Sequence, residues 1–150
     1  IYNSYDYILS INFNSIYHIY IKEKRIMEGL DLLQKTLTIL MDLAAIHTIL
    51  YLTTLKNMVC IYRFIIKDYN KAVEYYITIK DIILEIYGIN HPFYSDVLND
   101  LAESYNKSGD SDKANEYQQN LKEHLEMVKI HSPNSSNGKI DSRSQINYQI

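Results

Sequence analysis

Asp68-Tyr69-Asn70-Lys71-Ala72-Val73-Glu74-Tyr75 returns 42 residues later as Asp110-Ser111-Asp112-Lys113-Ala114-Asn115-Glu116-Tyr117. Asp, Lys, Ala, Glu and Tyr recur in register. The same shift sets Asn57 on Asn99, Val59 on Leu101, Ile79 on Leu121, Ile83 on Leu125 and Ile86 on Val128. A fainter copy lies upstream at a shift of 43, with Asn14 on Asn57, Ile16 on Val59, Gly29 on Ala72, Leu32 on Tyr75 and Leu43 on Ile86. Self-similarity at one spacing marks a chain of stacked units that share a core.

Inside each unit the apolar spacing is helical. Ala72, Tyr76, Ile79, Ile83 and Ile86 step by three or four, as do Ala114, Tyr117, Leu121, Leu125 and Val128. Such steps fall on one stripe of a helix, whereas a strand alternates in twos. Four glycines and two prolines in 150 residues leave few breaks, which outweighs the strand propensity of the many Ile and Tyr. Gly88 and Gly109 suit helix ends, Pro92 a first helical turn, and Asp110 or Ser111 an N-cap. The expected map is helices over 4–21, 25–43, 50–66, 69–87, 92–107 and 110–129. These form an all-α superhelix of about three antiparallel pairs, with units near 8–49, 50–91 and 92–129 inside a repeat domain of 1–129. Residues 130–150 carry His131-Ser132-Pro133-Asn134-Ser135-Ser136-Asn137-Gly138, too polar to offset its ordering entropy, and read as a disordered tail.

Composition narrows function mainly by exclusion. Net charge is −3 with both signs interspersed, so a nucleic-acid surface is not expected. Cys60 stands alone, which excludes an intrachain disulfide, and as a lone cysteine on an apolar stripe it reads as buried and structural. His18, His47, His91, His124 and His131 lack metal-ligand spacing, and no glycine-rich phosphate loop occurs, so neither metal nor cofactor nor catalytic constellation is expected. Leu37 to Leu55 is apolar enough to raise a membrane span. Asp42 inside it would cost roughly 3 kcal/mol at mid-bilayer, so it reads instead as two buried helix ends meeting at a turn. The chain begins at Ile1, which reads as a piece of a longer protein with further repeats ahead. In a piece, the absence of a secretory signal says little about compartment; a cytoplasmic location is the expectation.

Tyr87-Gly88-Ile89-Asn90-His91-Pro92, then Val97-Leu98-Asn99-Asp100-Leu101-Ala102-Glu103-Ser104-Tyr105, resembles the G-x-x-H-P … L-N-N-L-A-x-x-Y signature of kinesin light chain-like tetratricopeptide repeats. Gly109, Lys113-Ala114 and Glu116-Tyr117 continue that pattern, and the 42-residue period fits this long form of the repeat. The resemblance spans 50–129 well and 8–49 less so. Ala44-Ala45-Ile46-His47 replaces the Gly-His-Pro connector after the first unit, Lys67 stands where the third has Gly109, and Gly29 stands where Ala is usual. The helical C-terminal region of SET-MYND methyltransferases is a weaker match.

The resemblance implies a module that is not itself an enzyme and that binds a protein or peptide along its concave face, which the first helix of each pair lines. Asn57 and Asn99, with Asn14 as a third, could hold an extended backbone, because an amide side chain offers both donor and acceptor. Equally, each could bond a neighbouring helix. Lys56 could meet an acidic group, and Ile61, Phe64, Glu103 and Asn106, one and two turns along, could add side-chain specificity. An accessory domain of a larger enzyme and a self-association module are the other readings.

Overall fold

A computed structural model describes residues 4–45 and 48–131. Among the described residues six α-helices follow one another: α1 (Ser4–Lys22), α2 (Ile26–Asp42), α3 (Ile49–Cys60), α4 (Tyr69–Tyr87), α5 (Pro92–Ser108) and α6 (Ser111–His131). A π-helical turn, Ile61–Ile66, continues α3 without a break, and there is no strand among the described residues. The helices pack as antiparallel pairs, α1 on α2, α3 on α4 and α5 on α6, stacked so that one buried cluster runs from Tyr17 to Ala114. This is the expected all-α superhelix.

The small residues of the second helices are packed inward. Ala72 is fully buried and Ala114 is 4% exposed. At Gly29 an added Cβ would lie 3.2 Å from Ile21 Cδ1, so the glycine lets α2 close onto α1. Caps follow local chemistry. The Asp68 carboxylate accepts from Lys71 N at 2.9 Å, Asp110 from Lys113 N at 3.1 Å, and the Thr48 hydroxyl from Tyr51 N at 3.3 Å. His91 caps α5 by accepting from Phe93 N at 3.3 Å, with Pro92 in the first turn, where no amide donor is required.

The turns inside the pairs share one backbone conformation. Lys24, Lys67 and Gly109 all take positive φ, at 62°, 64° and 91°. The chain then closes back on the helix it leaves: Arg25 N donates to Tyr20 O at 2.8 Å and Asp110 N to Tyr105 O at 3.0 Å, each five residues back. In the middle pair Asp68 N reaches Tyr62 O at 2.9 Å, six residues back. The α3 segment therefore holds one extra residue, and the π turn absorbs it, because a π turn places more residues per turn than an α turn.

This corrects the repeat register within α3. Thr54, Leu55, Met58, Val59 and Ile61 are buried, and 43 residues later Val97, Leu98, Leu101, Ala102 and Ser104 are buried. A shift of 42 would instead set Thr54 and Ile61 on Asp96 and Glu103, which are exposed. From Lys67 onward the 42-residue shift holds, so the stacked Tyr62–Tyr75 rings (5.7 Å) find their counterpart in Tyr105–Tyr117 (5.5 Å).

Leu37 to Leu55 is not one helix; α2 ends at Asp42 and α3 starts at Ile49. The continuous run Ile49–Ile66 is long and apolar enough to cross a membrane by composition, with mean hydropathy 1.4. It also supplies Tyr51, Leu55, Met58, Val59 and Ile61 to the core. Of the expected tail, Ile130 and His131 belong to α6, and the remainder lies outside the described residues.

Candidate functional site

A groove of about 580 Å³ opens between α3 and α5, floored by α4. Tyr76, Ile79, Ile83 and Val97 form its buried base, and Ile49, Tyr87 and Phe93 surround one end with exposed apolar surface. Thr53, Lys56, Asp96, Asn99 and Asp100 supply the polar rim. The helical repeat explains this layout. First helices of successive pairs lie side by side, and the apolar stripe of the second helix between them shows through the gap.

Of the residues expected to bind, Asn99 and Lys56 line the groove. Asn99 is exposed, and its side chain is without a hydrogen-bond partner among the described residues. The Lys56 ammonium lies 5.0 Å from the centroid of the Phe93 ring, bridging the two walls.

Asn14 and Asn57 do something else. Asn57 Nδ2 donates to Asn14 Oδ1 at 3.1 Å, and Thr54 Oγ1 donates to the same oxygen at 3.3 Å. These amides join α1 to α3, so in this pair the reading as inter-helix bonds is the one the geometry supports. The one-residue offset in α3 means that Asn57 matches Asp100 by position and Lys56 matches Asn99, so the three asparagines do not form one row.

Ile61 is 1% exposed and belongs to the core, which rules it out as a groove contact. Phe64 is 63% exposed on the π turn, and Glu103 and Asn106 are exposed on α5, but none of the three lines the groove. Glu103 is instead engaged by Arg63, a residue the repeat pattern did not single out. Arg63 is 12% exposed and donates to Asp100 Oδ1 at 2.7 Å, to the Tyr76 hydroxyl at 2.9 Å and to the Glu103 carboxylate. Burial alone would lower its pKa, but the bonds to Asp100 and Tyr76 carry it upward, so it stays charged. The clamp joins the second pair to the third. Its sequence signal is an Arg on an apolar stripe, a position where a charge requires partners.

Cys60 is exposed, which corrects the expectation of a buried structural thiol. Its helix rotates with the register of α3, which turns position 60 out of the core. The sulfur is still desolvated by neighbouring helices, and this raises the thiol pKa, with Lys56 and Arg63 opposing and Asp100 reinforcing. A raised thiol is mostly protonated at neutral pH and a poor nucleophile. His124 is buried edge-on to Tyr94 at 5.1 Å, and no metal-binding cluster of His, Cys, Asp or Glu occurs among the described residues.

Residues 61–126 match the family model for the tetratricopeptide repeat. None of the curated proteins matches the chain by sequence. Among solved structures, the TPR domain of Arabidopsis FLU aligns with a TM-score of 0.63 at 13% identity, over 81% of this chain and 98% of that one. BtubC (BKLC) from P. vanneervenii aligns with a TM-score of 0.54 at 14% identity, over 96% of this chain and 72% of that one. With the repeat model matched from the π turn into α6 and the superhelix shared with both solved structures, the chain has the helical-repeat fold of tetratricopeptide domains.

Proposed function

We propose that this chain is a cytoplasmic adaptor or scaffold module that binds an extended protein segment in the groove between α3 and α5. The tetratricopeptide fold is in general a protein–protein interaction module. The observation that carries the finer reading is the groove itself. An apolar floor of about 580 Å³ with few polar groups on its rim has the size and character of a ligand site. Asn99 supplies an unengaged amide where a backbone would pass. The run Ile49–Ile66 is then a core helix rather than a membrane span, and chemistry, if the intact protein performs any, lies outside this domain.

The test is a peptide-display screen against the chain, followed by titration calorimetry on the selected peptide. Asn99→Ala should weaken binding about fivefold or more, since an exposed amide that bonds a backbone contributes roughly 1 kcal/mol. Thermal stability should stay nearly unchanged. Unaltered affinity would remove Asn99 from the site, and a screen that enriches nothing would remove the groove.

A second reading is favoured by one surface. The outer face of α1 carries Ile8, Ile11 and Ile19, exposed by 55%, 42% and 54%. Such a stripe suits stacking against another helical pair, from the same protein or a second copy. Sedimentation of the chain at rising concentration separates this from the groove reading: a monomer at all concentrations counts against self-association.

A further inference from the structure

We propose that the segment bound in the groove carries a bulky apolar anchor with a lysine or arginine beside it, and that Asp96 receives this basic group. This rests on the groove being the binding surface. The apolar half follows from the lining: Leu52, Ile79, Ile83 and Val97 below, with Ile49 and Phe93 exposed at the end. An extended segment points alternate side chains in opposite directions, so an anchor directed at the floor leaves its neighbours at the rim.

The charged half follows from which rim charges are already engaged. Among the described residues three charged side chains line the groove: Lys56, Asp96 and Asp100. The Lys56 ammonium lies over the Phe93 ring, and Asp100 accepts from Arg63 at 2.7 Å. Asp96 is exposed on α5, one turn from Phe93, and makes no ion pair or hydrogen bond among the described residues. Beyond the groove Glu103 shares Arg63 with Asp100, so two carboxylates draw on one guanidinium. Against this wall a basic side chain gains an opposite charge without displacing an existing pair, whereas an acidic one meets two carboxylates, Asp96 and Asp100, against the single ammonium of Lys56.

The experiment is a random-peptide display library selected on the whole chain at low ionic strength. The expected result is enrichment of a large aliphatic or aromatic residue with Lys or Arg adjacent. For one synthetic winner, Asp96→Asn should lower affinity about three- to fivefold, the range of an exposed ion pair. Changing the peptide's basic residue to Ala should cost the same, and the two changes together no more than either alone. The loss should shrink at high salt. Asp96→Lys should turn the selected preference to Asp or Glu. Apolar enrichment with no charge preference, or with an acidic one, overturns the role of Asp96 while leaving the groove standing. Enrichment of nothing overturns both.

Discussion

Lys24, Lys67 and Gly109 occupy one structural position, and only the last is the residue type that tolerates it freely. Left-handed backbone costs a non-glycine residue roughly 1 kcal/mol or more, because Cβ crowds the following carbonyl. Nothing lies within 4 Å of a Cβ built on Gly109, so substitution there meets backbone strain alone. Gly109→Ala should therefore destabilise the fold by about 1 kcal/mol. Lys67→Gly should stabilise it by somewhat less, since glycine also gains freedom in the unfolded chain. Urea unfolding of the two variants checks both signs, and a loss of stability in Lys67→Gly would mean that the lysine makes contacts outweighing its strain. Few glycines suffice here because a positive-φ turn residue can be carried by Lys, as at Lys24 and Lys67, or by Ala, as at Ala44 with φ 52°.

The π turn, Ile61–Ile66, is the one element that the periodic pattern did not foresee. It absorbs one residue between Tyr62, which stacks on Tyr75, and Asp68, which caps α4. Both anchors are satisfied, and the surplus is pushed outward, leaving Phe64, Ile65 and Ile66 exposed. Removing Ile65 should therefore restore an α-helical turn without touching the core. We expect a cooperative thermal transition at or above that of the parent, followed by circular dichroism. Removing Val59, 2% exposed, should abolish that transition, because every buried side chain upstream of the cut would rotate by one position. If the Ile65 deletion unfolds the chain, the π turn is required by the packing and not merely accommodated.

At the scale of the whole molecule, stability is a sum of pair-to-pair interfaces, and Arg63 is the polar fastening between the second and third. Arg63→Met keeps much of the stem but leaves Asp100 and the Tyr76 hydroxyl without their donor. We expect a loss of about 1–3 kcal/mol, within the range for hydrogen bonds to charged groups. Hydrogen exchange should show it as earlier opening of α5 and α6 relative to α2; uniform acceleration along the chain would count against a local fastening. Burial also leaves a mark on the pH profile. Tyr17 and Tyr76 are pushed up to about 12, burial being the largest cause in each. The Cys60 charge adds to this at Tyr17, while at Tyr76 the Arg63 bond opposes it and Asp100 reinforces it. The folded state thus holds these protons more tightly than the unfolded chain, whose tyrosines titrate near 10. Their contribution is fully present below about pH 10 and is lost as pH rises through about 12. Denaturant midpoints measured across that window should fall alongside the rise of tyrosinate absorbance. A flat profile would show that these rings are hydrated.

The sequence alone determined the helices, their pairing and their order. Those follow from steps of three and four, from caps such as Asp68 and Asp110, and from Ala72 and Ala114, all of them local signals that recur. Two of its candidate binding residues, Asn99 and Lys56, line the groove. It could not place Asn57, Ile61 or Cys60, because a one-residue insertion inside a helix leaves no trace in composition. Whether the surplus is taken up in a loop or in a wider turn depends on what the neighbouring helices hold fixed. The Tyr62–Tyr75 stack on one side and the Asp68 cap on the other held both ends of this segment. Only the packed structure therefore decided that Asn57 bonds Asn14, that Ile61 is core, and that Arg63 rather than an asparagine row joins the second pair to the third.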